Sequence, residues 1–341
     1  MDSIVTLDQV RAAAEAIRPF IHETPLLPAR ELSDLIGARV YLKAESLQVT
    51  GSFKIRAALN ETLTLPSIES KGEIKGVVAA SSGNFAQALA WAGSRLNIPV
   101  TVVMERRSSP LKVARAREYG AEVVFCENNL PSRDQTVEML IKERGLVELH
   151  SYNRLEAIAG NGSLGLELLD QLPEIDVVLA PTSGGGLLSG VAVAIKESRP
   201  SVKIIGVQPE TSNAIALSLQ QGKIVRLEAP QTIADGLRTG PKEITFAHIR
   251  KYVDEVALVS EDAIRRAVIF LFEHSRLVVE PSGAVAAAAL LDGQLPVSGK
   301  NVVAVLSGGN ISLDALQEMR RDLNTLLDNL ETDGGFDELI A

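Results

Sequence analysis

Lys54 is the side chain around which chemistry can be built. It lies in Thr50-Gly51-Ser52-Phe53-Lys54-Ile55-Arg56, between Arg39 to Glu45, which alternates like a strand, and Phe53 to Glu61, which reads as a helix. Gly51 lets the chain turn and Ser52 is placed to cap the helix, so Lys54 falls in the first helical turn. Unpaired backbone N–H groups there carry partial positive charge, which lowers an ammonium pKa and frees the amine as nucleophile or base. Most lysines point into solvent, so position alone does not single this one out. Its company does. Ser81-Ser82-Gly83-Asn84-Phe85, Thr182-Ser183-Gly184-Gly185-Gly186-Leu187 and Leu306-Ser307-Gly308-Gly309-Asn310 are further strand exits, rich in small residues, that each open a helix. Such helix starts receive anions, and Gly184 to Gly186 form the best phosphate cradle because close backbone approach needs residues without Cβ. One such segment is as often as not an ordinary turn; four, with a lysine in one, are not coincidence.

The elements that must position these segments alternate. Gly76 to Ala80, Val100 to Met104, Ala121 to Cys126, Asp176 to Ala180, Lys203 to Val207, Val253 to Val259 and Asn301 to Leu306 read as apolar strands with helices between them. Alternation throughout means parallel sheets with helices on both faces, and such sheets bind ligands at the carboxyl ends of their strands. The strands fall into two clusters, which gives a two-lobed α/β fold. Residues 67–149 form a small lobe, 1–66 with 150–341 form a large one, and 330–341, with Asp333-Gly334-Gly335, read as a disordered tail.

Composition narrows the function. The chain has 341 residues, is 46% hydrophobic but only 4% aromatic, and holds 26 glycines, which suits an Ala/Val/Leu-rich parallel-sheet enzyme. A net charge of -9 speaks against a nucleic-acid partner. The single cysteine, Cys126, lies in a strand pattern and reads as a buried structural thiol in a reducing compartment. No basic-then-apolar leader and no membrane-length apolar run stand out, so the sequence reads as a soluble cytoplasmic protein.

Other motifs fail on context. Gly160-Asn161-Gly162-Ser163-Leu164-Gly165 matches a dinucleotide fingerprint literally, but it follows a helix-like run and has no acidic residue some 20 positions on. His22, His150, His248 and His274 lack metal-ligand spacing and read as surface or structural histidines. Neither a nucleophile elbow nor a Walker lysine appears.

Ser52-Phe53-Lys54-Ile55-Arg56, Ser81-Ser82-Gly83-Asn84, Gly184-Gly185-Gly186-Leu187, Thr232-Ile233-Ala234-Asp235-Gly236 and Ser307-Gly308-Gly309-Asn310 together resemble the pyridoxal-phosphate enzymes of fold type II. The branch most resembled is the threonine/serine dehydratases and serine racemases, and the likeness runs in order from about residue 5 to residue 315. The resemblance implies a fold like the tryptophan synthase β-subunit, with pyridoxal 5'-phosphate held between two lobes. Lys54 would be its Schiff-base lysine, Phe53 would lie beside the ring, and Asn84 would bond the 3-hydroxyl. Ser183, Gly184, Gly185, Gly186 and Leu187 would hold the phosphate, Ser307 would face the pyridine nitrogen, and Gly236 and Glu280 would complete the cofactor site. Ser81, Ser82, Asn84, Phe85 and Arg133 would bind the substrate carboxylate and side chain.

The implied activity is dehydration of L-threonine or L-serine to a 2-oxo acid and ammonia. A racemase, or a dehydratase of 3-hydroxyaspartate or phenylserine type, is the alternative, and a non-catalytic small-molecule-binding relative the remote one. Departures from the pattern inform the choice. Ser82 occupies the position of the racemases' second acid/base, Phe85 replaces a usual histidine, and Ser183 stands where a fourth glycine is usual. At the racemase branch's cation site the chain has Gln208, Ser212 and Ala214, leaving Glu210 as a weak ligand set, so little supports a divalent ion. The chain also has no room for the feedback domain of biosynthetic threonine dehydratases, which points to catabolic use. A homodimer is implied by the resemblance alone.

Overall fold

The structure, a computed structural model, describes residues 4–65, 74–228 and 230–332. Two sheets organise these residues. The larger runs β1 (Leu26–Pro28), β2 (Arg39–Ala44), β10 (Asn301–Leu306), β7 (Val177–Pro181), β8 (Lys203–Pro209) and β9 (Glu255–Val259) in spatial order. Only β1 is antiparallel to its neighbour. The smaller runs β5 (Glu122–Cys126), β4 (Val100–Glu105), β3 (Val77–Ala80) and β6 (Val147–Glu148), all parallel.

The central strands are apolar on both faces because helices cover both. Along β10, Val302, Ala304 and Leu306 join one core with helices Glu261–Ser275 and Pro281–Leu291. Val303 and Val305 join the opposite core with helices Leu155–Gln171 and Gly186–Ser198, as the two-residue period of a strand requires. In the small sheet Val77, Ala79, Val100 and Val102 pack against helices Lys54–Leu63 and Asn84–Leu96.

Helix Lys54–Leu63 is the joint between the sheets. Ile55, Ala57, Ala58 and Leu59 enter the core of the small sheet, while Arg56 and Asn60 face helix Leu155–Gln171 beneath the large one. The glycines of the dinucleotide-like run lie inside that helix. A Cβ on Gly160 would stand 2.4 Å from the Arg56 carbonyl oxygen, and one on Gly162 would stand 2.7 Å from Val10. The run therefore serves close helix packing, not phosphate binding.

The expected cap at Ser52 is corrected. Phe53 takes the N-cap position without a side-chain bond, and Ser52 lies extended in an isolated bridge to Gly308. The Phe53 N–H donates to the Ser307 carbonyl (3.1 Å) and the Gly309 N–H to Gly51 (2.9 Å). Long-range pairing to the end of β10 has displaced a local cap. At the other end, helix Leu313–Thr332 contains residues 330–332 of the expected tail, and 333–341 lie outside the described residues. No described helix is long and apolar enough to cross a membrane.

Candidate active site

Lys54 opens its helix beside the carboxyl ends of both sheets. Its amine makes one hydrogen bond, to the Ser151 carbonyl (3.3 Å), and lies 4.9 Å from the centre of the Phe53 ring. Crowding by protein lowers its pKa to about 8, against the pull of Glu61 and Glu280. About a tenth of the amine is therefore free at pH 7, and half at pH 8. The field of the helix N-terminus acts in the same direction.

At the carboxyl end of β7, Gly184, Gly185 and Gly186 bend into helix Gly186–Ser198. Gly185 has φ +92°, a conformation L side chains rarely adopt, and a Cβ on Gly184 would meet the Tyr152 ring at 2.6 Å. Ser183 is committed elsewhere. Its hydroxyl bonds the Thr239 carbonyl (2.7 Å) and accepts the Thr239 N–H (3.0 Å), so it locks this loop to the segment after Gly236. The Leu187 side chain is buried in the core under the large sheet, leaving its backbone to face the loop.

The other expected residues form two linked sets. Asn84 donates to Glu280 and accepts from Asn310 (3.0 Å), which also donates to the Thr50 carbonyl (2.9 Å). Burial raises the Glu280 carboxyl to about 7, opposed by Lys112, with Asp235 adding to the rise. Ser307 donates weakly to the Ser282 carbonyl (3.4 Å), and the Ser282 hydroxyl accepts the Gly236 N–H (2.9 Å). These contacts bring the starts of helices Lys54–Leu63, Asn84–Leu96 and Pro281–Leu291 together with the end of β10.

After β3, Ser81 accepts the Gly83 N–H (3.3 Å) and Ser82 accepts the Glu105 N–H (3.2 Å), and among the described residues none accepts the Ser82 proton. Phe85 departs from expectation. Its ring is 1% exposed and packs with Ile55 and Leu59 in the small-sheet core, so helix burial, not substrate contact, explains it. Arg133 has 29% of its side chain exposed and pairs with Asp134 at 3.3 Å. Its charge acts on His150 and Tyr152, across from the Lys54 helix.

Several neighbours of Lys54 escape sequence reasoning. His150 Nδ1 accepts the Asn153 N–H (3.1 Å), and its Nε2 lies 3.0 Å from Lys242 Nζ. Burial, followed by Lys242 and Lys54, lowers its pKa to about 3, so it is neutral. Lys112, from helix Pro110–Glu118 of the small sheet, reaches Asp235 of the large one at 2.5 Å. Glu61, seven residues after Lys54 on one helix face, is the one neighbour that spacing could have flagged. Among the described residues no three His, Cys, Asp or Glu side chains converge as a metal site. Gln208 is used instead to accept the Ile215 and Ala216 N–H groups (3.1 Å each).

Residues 17–308 match the family model described as pyridoxal-phosphate dependent enzyme. An L-threonine ammonia-lyase of Thermotoga maritima is 42% identical over 318 residues, covering 93% of this chain and 78% of that one. An L-threo-3-hydroxyaspartate ammonia-lyase of Saccharomyces cerevisiae is 38% identical, covering 91% of this chain and 94% of that one. The solved structure of maize serine racemase superposes with a TM-score of 0.89 at 36% identity, covering 95% of this chain and 99% of that one.

Proposed function

This chain belongs to the pyridoxal-phosphate dependent enzymes, and from that premise we propose that it is an ammonia-lyase that eliminates water from L-threonine or L-serine, releasing 2-oxobutyrate or pyruvate and ammonia. The observation that carries the proposal is the Lys54 amine, held near pKa 8 with a single 3.3 Å hydrogen bond at the meeting of the two sheets.

The residues fit pyridoxal 5'-phosphate. Lys54 offers an available amine for its aldehyde, and the backbone N–H groups of the Gly184 to Gly186 loop, whose glycines Tyr152 and Ile249 crowd too closely for a Cβ, offer a seat for its phosphate. Ser52 Oγ and Thr182 Oγ1 are buried without a protein partner, as polar atoms beside a ligand can be. Phe53, Asn84, Gly236, Glu280 and Ser307 would line the remainder of the site, with the Ser307 hydroxyl facing the ring nitrogen. When bound, the cofactor supplies the electron sink that stabilises negative charge at the substrate Cα.

The chain's own residues supply the rest. Lys54, as the free amine, takes the Cα proton, a role for which a pKa near the working pH is best. Ser81, Ser82 and the N–H groups opening helix Asn84–Leu96 hold the substrate carboxylate. Arg133, facing His150 and Tyr152, would reach the same carboxylate or a second one. The β-hydroxyl takes up a proton and leaves as water, and addition of water to the resulting enamine releases ammonia and the 2-oxo acid. The proposal places this activity in the cytoplasm, in a homodimer, with the lobes divided at 67–149; Glu210 alone is a weak ligand set for a divalent ion.

Racemisation is the second reading, and Ser82 supports it. Its hydroxyl proton is free to be given to a Cα on the side opposite Lys54. An assay of 2-oxo-acid release from L-threonine, L-serine, D-serine, 3-hydroxyaspartate and phenylserine tests the proposal. Release from L-threonine or L-serine is the expected result, and no 2-oxo acid from any of the five would refute it.

A further inference from the structure

Glu61 is fully buried on the helix that Lys54 opens, two turns further along and on the same side. Its Oε1 accepts the His150 N–H (3.3 Å) and meets Arg154 Nε (3.1 Å), while Oε2 has no partner. The next residue, Ser151, is the one whose carbonyl accepts the Lys54 amine. Acid and amine thus grip adjacent residues of one segment. A buried carboxyl with an orphan oxygen costs stability, and an amide, which accepts the same backbone N–H and leaves an orphan NH2 instead, could not ionise opposite Arg154. That cost points to a use for the charge.

Burial raises the Glu61 carboxyl to about 8, opposed by Arg154, the His150 N–H and Lys54, with Glu156 adding to the rise. Of the acids acting on Lys54, Glu61 outweighs Glu280. The other groups facing the pair are Arg154 and Glu156 at the start of helix Leu155–Gln171, and His150, itself faced by Lys242 and Arg133.

We propose that Glu61 is a positioning residue for Lys54: it holds the His150–Ser151 segment whose carbonyl takes the Lys54 amine, and its ionisation above neutral pH holds that amine in the ammonium form. Its consequence for catalysis rests on the role proposed above for Lys54; the coupling itself does not.

The test separates the two. In the full chain stripped of cofactor and checked for folding by circular dichroism, reductive methylation with peptide mass spectrometry gives a labelling pKa for Lys54. Glu61→Gln should lower it by on the order of half a unit to one unit, the difference in labelling emerging as pH rises through about 8 and vanishing where Glu61 is protonated. Glu61→Asp should restore much of the difference. Arg154→Gln, which withdraws the cation that favours ionised Glu61, should shift it in the same direction as Glu61→Gln. An unchanged labelling pKa in folded Glu61→Gln overturns the proposal; should that variant not fold, an unchanged value in Arg154→Gln does so. In the holoenzyme the alkaline-rising limb of kcat/KM should move to lower pH by a similar amount. A shift in labelling without a shift in that limb leaves the coupling standing and removes Lys54 as the base.

Discussion

Arg56 and Glu45 form a bidentate ion pair with no side-chain exposure on either partner, Nε to Oε2 at 2.9 Å and Nη2 to Oε1 at 2.8 Å. The remaining guanidinium nitrogen reaches Glu167 at 2.6 Å, and Glu167 in turn takes Lys43 at 2.6 Å. The pair ties the end of β2 to the helix that starts at Lys54, two residues away. Glu167, within helix Leu155–Gln171, ties that helix to the one that Lys54 opens. A guanidinium suits this site because its planar fork serves both carboxylates at once, which an ammonium cannot do.

Removing one partner leaves buried charge uncompensated. Arg56→Met should therefore destabilise the protein by about 3–5 kcal/mol in urea unfolding. Glu45→Gln, which keeps the shape and one acceptor, should cost less. If Arg56→Met unfolds at the wild-type midpoint, the pair contributes nothing to the fold.

The glycine loop gives a second test. Gly185→Ala forces a Cβ onto a left-handed backbone, and that Cβ would stand 2.6 Å from Ile249 Cδ1. Cofactor affinity, measured by absorbance titration, should fall at least about tenfold, the equivalent of 1.4 kcal/mol. Affinity equal to wild type would place the phosphate elsewhere.

Ser82→Ala separates the two proposed activities. Elimination from the L-substrate should largely survive, because Lys54 is untouched, while any interconversion of L- and D-serine should collapse. Chiral chromatography of the amino acid and assay of the 2-oxo acid read both from one reaction. Equal loss of the two would show Ser82 acting through substrate binding.

The pH dependence of stability should carry the mark of Glu61. Its folded-state pKa, about 8, lies above the ordinary 4.5, so the folded protein holds this proton more tightly than the unfolded chain. The corresponding stability is present below pH 4.5 and is lost as pH rises towards 8. Glu61→Gln should therefore gain on wild type between these pH values, by on the order of 5 kcal/mol. Paired urea titrations at the two ends of the window check this, and a constant difference would show that Glu61 is ionised throughout. His150 acts at acid pH with the opposite slope: its pKa falls from 6.5 to about 3, so stability is lost as pH drops between those values.

Short-range chemistry was legible in the chain alone. Parallel alternating elements, the lysine at a helix start and the glycine run that opens helix Gly186–Ser198 each depend on a few consecutive residues, whose backbone preferences and side-chain types suffice to mark them. Even the dinucleotide-like run could be set aside from its own flanks, and it is helical. Partners distant in sequence were not legible. Ser52 has the right type for a cap, yet pairing with Gly308 took its backbone, because a bridge to the end of β10 outweighs one local hydrogen bond. Phe85 sits where a substrate contact was expected, but the turn of its helix carries the ring into the core. Glu167 lies 111 positions from Arg56 and His150 lies 89 from Glu61, and no local pattern records such pairs. The sequence determined which amine could react and what kind of fold would hold it. Only tertiary packing decided the charges around that amine, because burial and electrostatic coupling depend on distance in space and not along the chain.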